Sequence, residues 1–134
     1  MKIGEAARAS GLSIKTVRYY ANIKLVVPKI DERVNYRHYN DQDIAKLRFV
    51  GTARRFDFSI GQCRDLLALY EDKERSSKDV KELTLKKIDE IDTRLQELGN
   101  LRRELIALAN SCDGDERSDC PIIDRMATAP LEIS

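Results

Sequence analysis

Cys112 and Cys120 enclose a seven-residue polar stretch, Asp113-Gly114-Asp115-Glu116-Arg117-Ser118-Asp119. Two thiolates brought together by so short a loop form a donor set for a soft d10 ion. A two-sulfur set suits the linear geometry of Cu(I), Ag(I) or Au(I). Zn(II) generally takes four ligands, and the single histidine, His38, is remote in sequence. The same pair supports two other chemistries, a redox disulfide and a pair of inert thiols. The third cysteine, Cys63, lies among leucines and reads as a small core residue. No apolar run is long enough for a signal peptide or a membrane span, which implies a cytoplasmic protein with no membrane partner. In a reducing compartment a close cysteine pair favours metal or redox chemistry over a structural disulfide.

The loop needs a rigid support, and the stretch before it supplies one. From about Lys78 to Ala109 there is no proline and only one glycine, Gly99. Thr84, Ile91, Leu98 and Leu105 fall seven apart, with Ile88, Leu95, Arg102 and Ala109 as the companion series. This is a heptad pattern with one charged interruption. A helix of that length would span about 48 Å, more than a small chain can cover by itself. A second copy supplies the facing helix, and a helix folded back on the rest of the chain is the alternative. Ser77 and Lys81 sit one turn apart at the rod's start.

The other end of the chain is basic. Residues 1–56 hold 12 Lys/Arg against 5 Asp/Glu, a charge of +7, whereas the remainder carries −6 and the whole chain +1. Such asymmetry points to a polyanion at the head. Residues 2–9 read as a short helix with Ile3, Ala6 and Ala7 inward. After a turn at Ser10–Ser13, Ser13 caps a second helix over about 14–22. Together they make a helix-turn-helix. Residues 29–39 read as a hairpin or wing, with Val34-Asn35 at its turn. Asn40 or Asp41 caps a third helix ending near Phe56, and Ser59 with Gln62 forms a capping box for a fourth. In that fourth helix Cys63, Leu66, Leu67 and Tyr70 make the inner face. Ser13, Lys15, Thr16, Arg18 and Tyr20 on the second helix are candidate DNA contacts, with Arg33, Tyr36 and Arg37 in the wing and Arg54 at the end of the third helix. Tyr19 is expected in the core. The fold is therefore mainly α. A winged helix-turn-helix head with a helical extension occupies 1–75, a dimerisation helix 76–110, and a metal-binding loop with its C-terminal segment 111–134. No Ser/His/Asp, Cys/His or phosphate-loop constellation suggests an enzyme.

Val17-Arg18-Tyr19-Tyr20, Leu25, Pro28 and Asn35-Tyr36-Arg37-His38-Tyr39 resemble the opening of MerR-type regulators. The resemblance continues to about Ile123. It implies a homodimer built on an antiparallel coiled coil, which binds double-stranded promoter DNA with an overlong spacer and distorts it for RNA polymerase. Three departures stand out: Lys24 and Asn35 where glycine is usual, and Asp57 where it is common. Asp31 and Glu32 also place negative charge in the wing, where Arg33 can compensate.

Cys112, Gly114, Asp115, Ser118, Asp119, Cys120, Pro121 and Ile122 match the loop of the copper-efflux branch of that family, with Asp113 where proline is often found. The resemblance implies a Cu(I)-responsive activator of copper-efflux or detoxification genes, with Ag(I) or Au(I) as surrogates and Cys112 and Cys120 as ligands. In the divalent-ion branches a cysteine opens the dimerisation helix; here Ser77 takes that position. Two thiolates and a monovalent ion leave one negative charge. Lys81 of the partner chain and the helix ends could offset it, or Lys81 is a solvated charge. The alternative function is a thiol-redox regulator switching through a Cys112–Cys120 disulfide.

Overall fold

The computed structural model describes residues 1–33 and 36–129. Among these the order is α1 (Ile3–Ser10), α2 (Ile14–Asn22), β1 (Lys29–Asp31), β2 (Tyr36–His38), α3 (Asp41–Arg55), α4 (Ile60–Glu71), α5 (Ser77–Ser111) and α6 (Pro121–Thr128). The expected Val34-Asn35 turn lies outside the described residues. The strands pair antiparallel, with Lys29 opposite His38 and Asp31 opposite Tyr36.

Local chemistry sets the helix starts. The Ser13 hydroxyl accepts from the Thr16 amide at 3.0 Å and opens α2. Asn40 and Asp43 exchange side-chain and backbone hydrogen bonds at 2.8 and 3.0 Å, making a capping box for α3. Ser59 and Gln62 do the same for α4. Each cap satisfies amides that would otherwise lack a partner, a contribution of about 1 kcal/mol. Gly11, at φ 76, ends α1 in the left-handed conformation that glycine adopts without penalty.

The chain divides into two compact units, and the first runs from Met1 to Leu83. Its core gathers Ala6, Val17, Leu25, Val26, Tyr39, Ile44, Leu47, Val50, Leu66 and Leu67 around a fully buried Cys63. Leu83, in the second turn of α5, packs against this cluster. Two aromatic expectations are overturned. Tyr19 is 49% exposed and Tyr20 only 5%, because Val17, Tyr20 and Ala21 share the inward stripe of α2 and Tyr19 falls outside it. Tyr70 is an exposed residue rather than an inner one; its ring stacks against Phe49, with centroids 4.7 Å apart.

Lys24 and Asp57, two of the three positions that depart from glycine, have φ of 59 and 67. At Lys24 the left-handed turn is stapled from α4: the Arg64 guanidinium donates to the Ile23 carbonyl and, at 3.2 Å, to that of Lys24. A lysine there carries a steric cost that glycine lacks, partly offset by glycine's greater freedom in the unfolded chain. Lys24→Gly is expected to stabilise the first unit by about 0.5–1 kcal/mol, read from urea unfolding at fixed protein concentration. Asp57→Gly should gain less, since Asp tolerates this conformation. A destabilised Lys24→Gly would show that the side chain contributes more than the backbone costs.

The second unit begins at Thr84. Within the 35-residue α5, about 52 Å long at 1.5 Å per residue, Ile88, Ile91, Leu95, Leu98, Leu101 and Leu105 are all exposed. Pro121 occupies the first turn of α6, where its missing amide costs nothing. This short helix lies on the C-terminal part of α5. Arg125 pairs with Glu104 at 3.1 Å, and Leu101, Leu105, Leu108 and Met126 line a cavity of about 280 Å³. No helix among the described residues is long and apolar enough to cross a membrane.

Candidate functional site

The Cys112 amide still donates to the Ala109 carbonyl at 3.2 Å, so the first thiol sits at the fraying end of α5. Gly114, at φ 66, then turns the chain. Arg117 gathers the loop: its amide and Nε donate to the Asp115 carboxylate at 2.9 and 2.8 Å, and Nη2 reaches Asp113 at 3.4 Å. These bonds hold the Asp115 carboxyl below the usual carboxylate range. The loop closes on Cys120, which stands at the N-cap of α6 and whose carbonyl accepts from the Asp124 amide at 3.0 Å.

The two sulfurs lie 3.9 Å apart, and both cysteines are half-buried. A disulfide would need about 2.05 Å. With metal–sulfur bonds of about 2.3 Å a tetrahedral angle needs about 3.8 Å and a linear arrangement about 4.6 Å. The 3.9 Å separation is that of a tetrahedral S–metal–S angle, and a linear ion needs the thiols about 0.7 Å further apart. The Ile123 and Ile122 amides at the start of α6, with a smaller contribution from the Cys112 thiol, hold the Cys120 pKa below the ordinary thiol value. Among the described residues no group of three or more His, Cys, Asp and Glu side chains is placed to hold a metal ion. Among the described residues the donor set is therefore two thiols, which fits a soft ion in its chemistry. Ser77 and Lys81 both lie exposed on the part of α5 that belongs to the first unit.

The head carries the other expected residues. Lys15 and Arg18 project from α2, and Arg33 and Arg37 from the wing. Arg18, Tyr36 and Arg37 line one cleft of about 360 Å³ with Ile3 and Lys2. Ser13 and Thr16 are bonded to each other at 2.8 Å, so part of their hydrogen-bonding capacity serves the cap. Arg54 donates to the Phe58 carbonyl at 2.7 Å and lies beside the Tyr20 hydroxyl. Burial pushes the Tyr20 phenol up, against the opposing pull of Arg54. Tyr20 is thus buried where the sequence expects a DNA contact, and its neighbour Tyr19 is exposed. Two residues that sequence reasoning missed are Arg48 and Lys2. Arg48 donates twice to the Ala9 carbonyl, at 3.0 and 2.8 Å, closing the C-terminal end of α1. Lys2 has its ammonium 4.9 Å from the centre of the Tyr36 ring. Neither has a sequence signal, because each depends on which elements pack together.

Comparison with known proteins gives a consistent picture. Residues 1–69 match the family model described as MerR HTH family regulatory protein, and residues 44–108 match the model described as MerR, DNA binding. The HTH-type transcriptional regulator HmrR of Rhizobium leguminosarum bv. viciae is 46% identical over 95% of this chain and 98% of its own length. The HTH-type transcriptional regulator CueR of Yersinia pestis is 41% identical over 95% of this chain and 91% of its own. Among solved structures, the transcription regulator PbrR691 of Ralstonia metallidurans CH34, in complex with lead(II), superimposes with a TM-score of 0.80. It is 30% identical, covering 94% of this chain and 98% of that one.

Proposed function

The chain belongs to the MerR family of helix-turn-helix transcriptional regulators, and from that premise we propose that it is a cytoplasmic Cu(I)-responsive activator of copper-efflux or detoxification genes. The observation that carries this reading is the pair of sulfurs 3.9 Å apart, one of them at a helix N-terminus. The relatives include regulators named CueR and heavy metal-dependent transcription regulators, and the neighbour PbrR691 was solved in complex with lead(II). What favours a monovalent ion here is the donor count. Ser77 stands where the resemblance places a third thiol in divalent sensors, and no third ligand joins the described pair.

A bound ion would replace the thiol protons and link the end of α5 to the start of α6. The protein's own residues do the rest. Arg117 keeps the loop folded, and the α6 amides hold Cys120 toward its thiolate. Because Cys120 is the N-cap of α6, fixing its sulfur fixes the position of that helix, which rests on α5 through Arg125 and Glu104. In a homodimer joined along an antiparallel α5 pair, such a shift would alter the spacing of the two heads. Promoter DNA with an overlong spacer would then be bent and untwisted into a form that RNA polymerase can use. Lys81 of the partner chain offsets the residual negative charge in this arrangement.

The test is transcription from an overlong-spacer promoter with reduced protein, titrated with Cu(I), Ag(I), Zn(II) or Pb(II). Activation is expected at one Cu(I) or Ag(I) per protomer, with two sulfurs in the X-ray absorption spectrum. Activation by Pb(II) or Zn(II) at lower free concentration, or a third ligand, would overturn the monovalent reading. Affinity should fall as pH drops, because protons compete for the thiols. The lowered Cys120 pKa displaces that loss toward acid relative to an ordinary thiol. Lys81→Met should move the loss back toward alkaline pH; an unmoved profile would make Lys81 a solvated charge.

A further inference from the structure

Lys2 stands just before the first residue of α1, and its side chain does not cap that helix. The Tyr39 amide donates to the Met1 carbonyl at 2.7 Å, which ties this segment to the end of β2. The Lys2 ammonium consequently rests over the Tyr36 ring at 4.9 Å, within the range at which a cation is attracted to an aromatic face. Arg18 comes from α2 and Arg37 from β2, so with Lys2 three cations line one cleft, and none of its lining residues is acidic. Glu5, the acidic residue in the first turn of α1, is not among them. Convergence of like charges costs energy unless an anion fills the space between them. The first amides of α1 add a partial positive charge at the same edge.

We propose that Lys2, held in place by the Tyr36 ring, is a DNA-backbone contact, and that the Lys2–Arg18–Arg37 cleft seats one phosphate of the operator. The inference rests on the reading of the head as a DNA-binding unit and adds to it the residue that stands at the N-cap of the first helix of the helix-turn-helix. The cleft is shared between α1, α2 and the wing, so a phosphate seated in it would fix their register on the duplex. It would carry no base preference, since phosphate contacts position and do not specify.

The experiment measures affinity for operator and for random-sequence duplex across a range of salt, using the full-length protein and its Lys2→Met, Tyr36→Leu and double variants. Lys2→Met is expected to weaken both duplexes by the same factor and to reduce the salt slope by about 0.9. Tyr36→Leu should reduce the slope in part by releasing the lysine, and the double variant should lose no more slope than Lys2→Met alone. In the wild-type chain inorganic phosphate should inhibit duplex binding more than chloride does at equal ionic strength, because it competes for the seat, and Lys2→Met should remove that excess. Phosphate that binds the cleft with no loss of duplex affinity would assign the seat to a free anion and overturn the proposal. An unchanged slope in Lys2→Met also overturns it, while leaving the head's DNA binding intact. Failure of the wild-type chain to bind duplex DNA at all would instead remove the reading beneath it.

Discussion

Cys112→Ser and Cys120→Ser are each expected to abolish metal-induced transcription while leaving operator affinity within about twofold of wild type. Losing one of two ligands leaves a single thiol, which cannot bridge the end of α5 to the start of α6. Serine fills nearly the same space but is a poor ligand for a soft ion. Both cysteines are half-buried and neither belongs to the head's core, so folding of the first unit should be untouched. Promoter transcription and a Cu(I) competition assay separate sensing from binding, and fluorescence anisotropy on the operator supplies the third measurement. Loss of DNA binding in a folded Cys112→Ser would show that sensor and head are not modular. Retained induction in Cys112→Ser would remove the two-thiol site altogether.

The parts of the fold legible in the sequence were those that local chemistry decides. Ser13, Asn40 and Ser59 announce helix starts because capping involves residues within one turn of each other. The long α5 was legible from its heptads and lack of proline, and the cysteine loop from two residues and their spacing. The adjacent tyrosines of α2 were not. Tyr19 and Tyr20 have the same chemistry and differ by 100° around the helix, so only the phase set by Val17 and Ala21 decides which is buried. Arg64 on the Ile23 and Lys24 carbonyls and Arg48 on Ala9 bridge about 40 residues of sequence, a separation over which no pattern in the chain signals contact. Lys2 against the Tyr36 ring is the same case. The departures from glycine at Lys24 and Asp57 were visible as anomalies, but the positive φ that explains them belongs to the folded backbone.

The pair Leu95→Glu with Leu98→Glu is expected to convert the protein to monomers and to remove specific operator binding. Leu95 is 62% exposed and Leu98 52%, in a row that continues through Ile88, Ile91, Leu101 and Leu105. Such a contiguous exposed apolar stripe marks an interaction surface. Its heptad spacing selects another helix as the partner, and the family resemblance selects a second copy of this chain. Burying a leucine contributes roughly 1.5–3 kcal/mol, and a twofold interface loses every contact twice. Two substitutions per chain therefore remove four leucines and bring four carboxylates together in an apolar seam. That is enough to shift dissociation from below micromolar to well above it, each 1.4 kcal/mol being about tenfold. Specific binding should fail with the dimer, because one head grips only half of a two-fold site. Circular dichroism should show α1–α4 still folded, since neither leucine belongs to the first unit. Analytical ultracentrifugation decides the matter: a wild-type chain sedimenting as a monomer at micromolar concentration, or a double variant that stays dimeric, would place the interface elsewhere and leave the stripe on α5 without a partner.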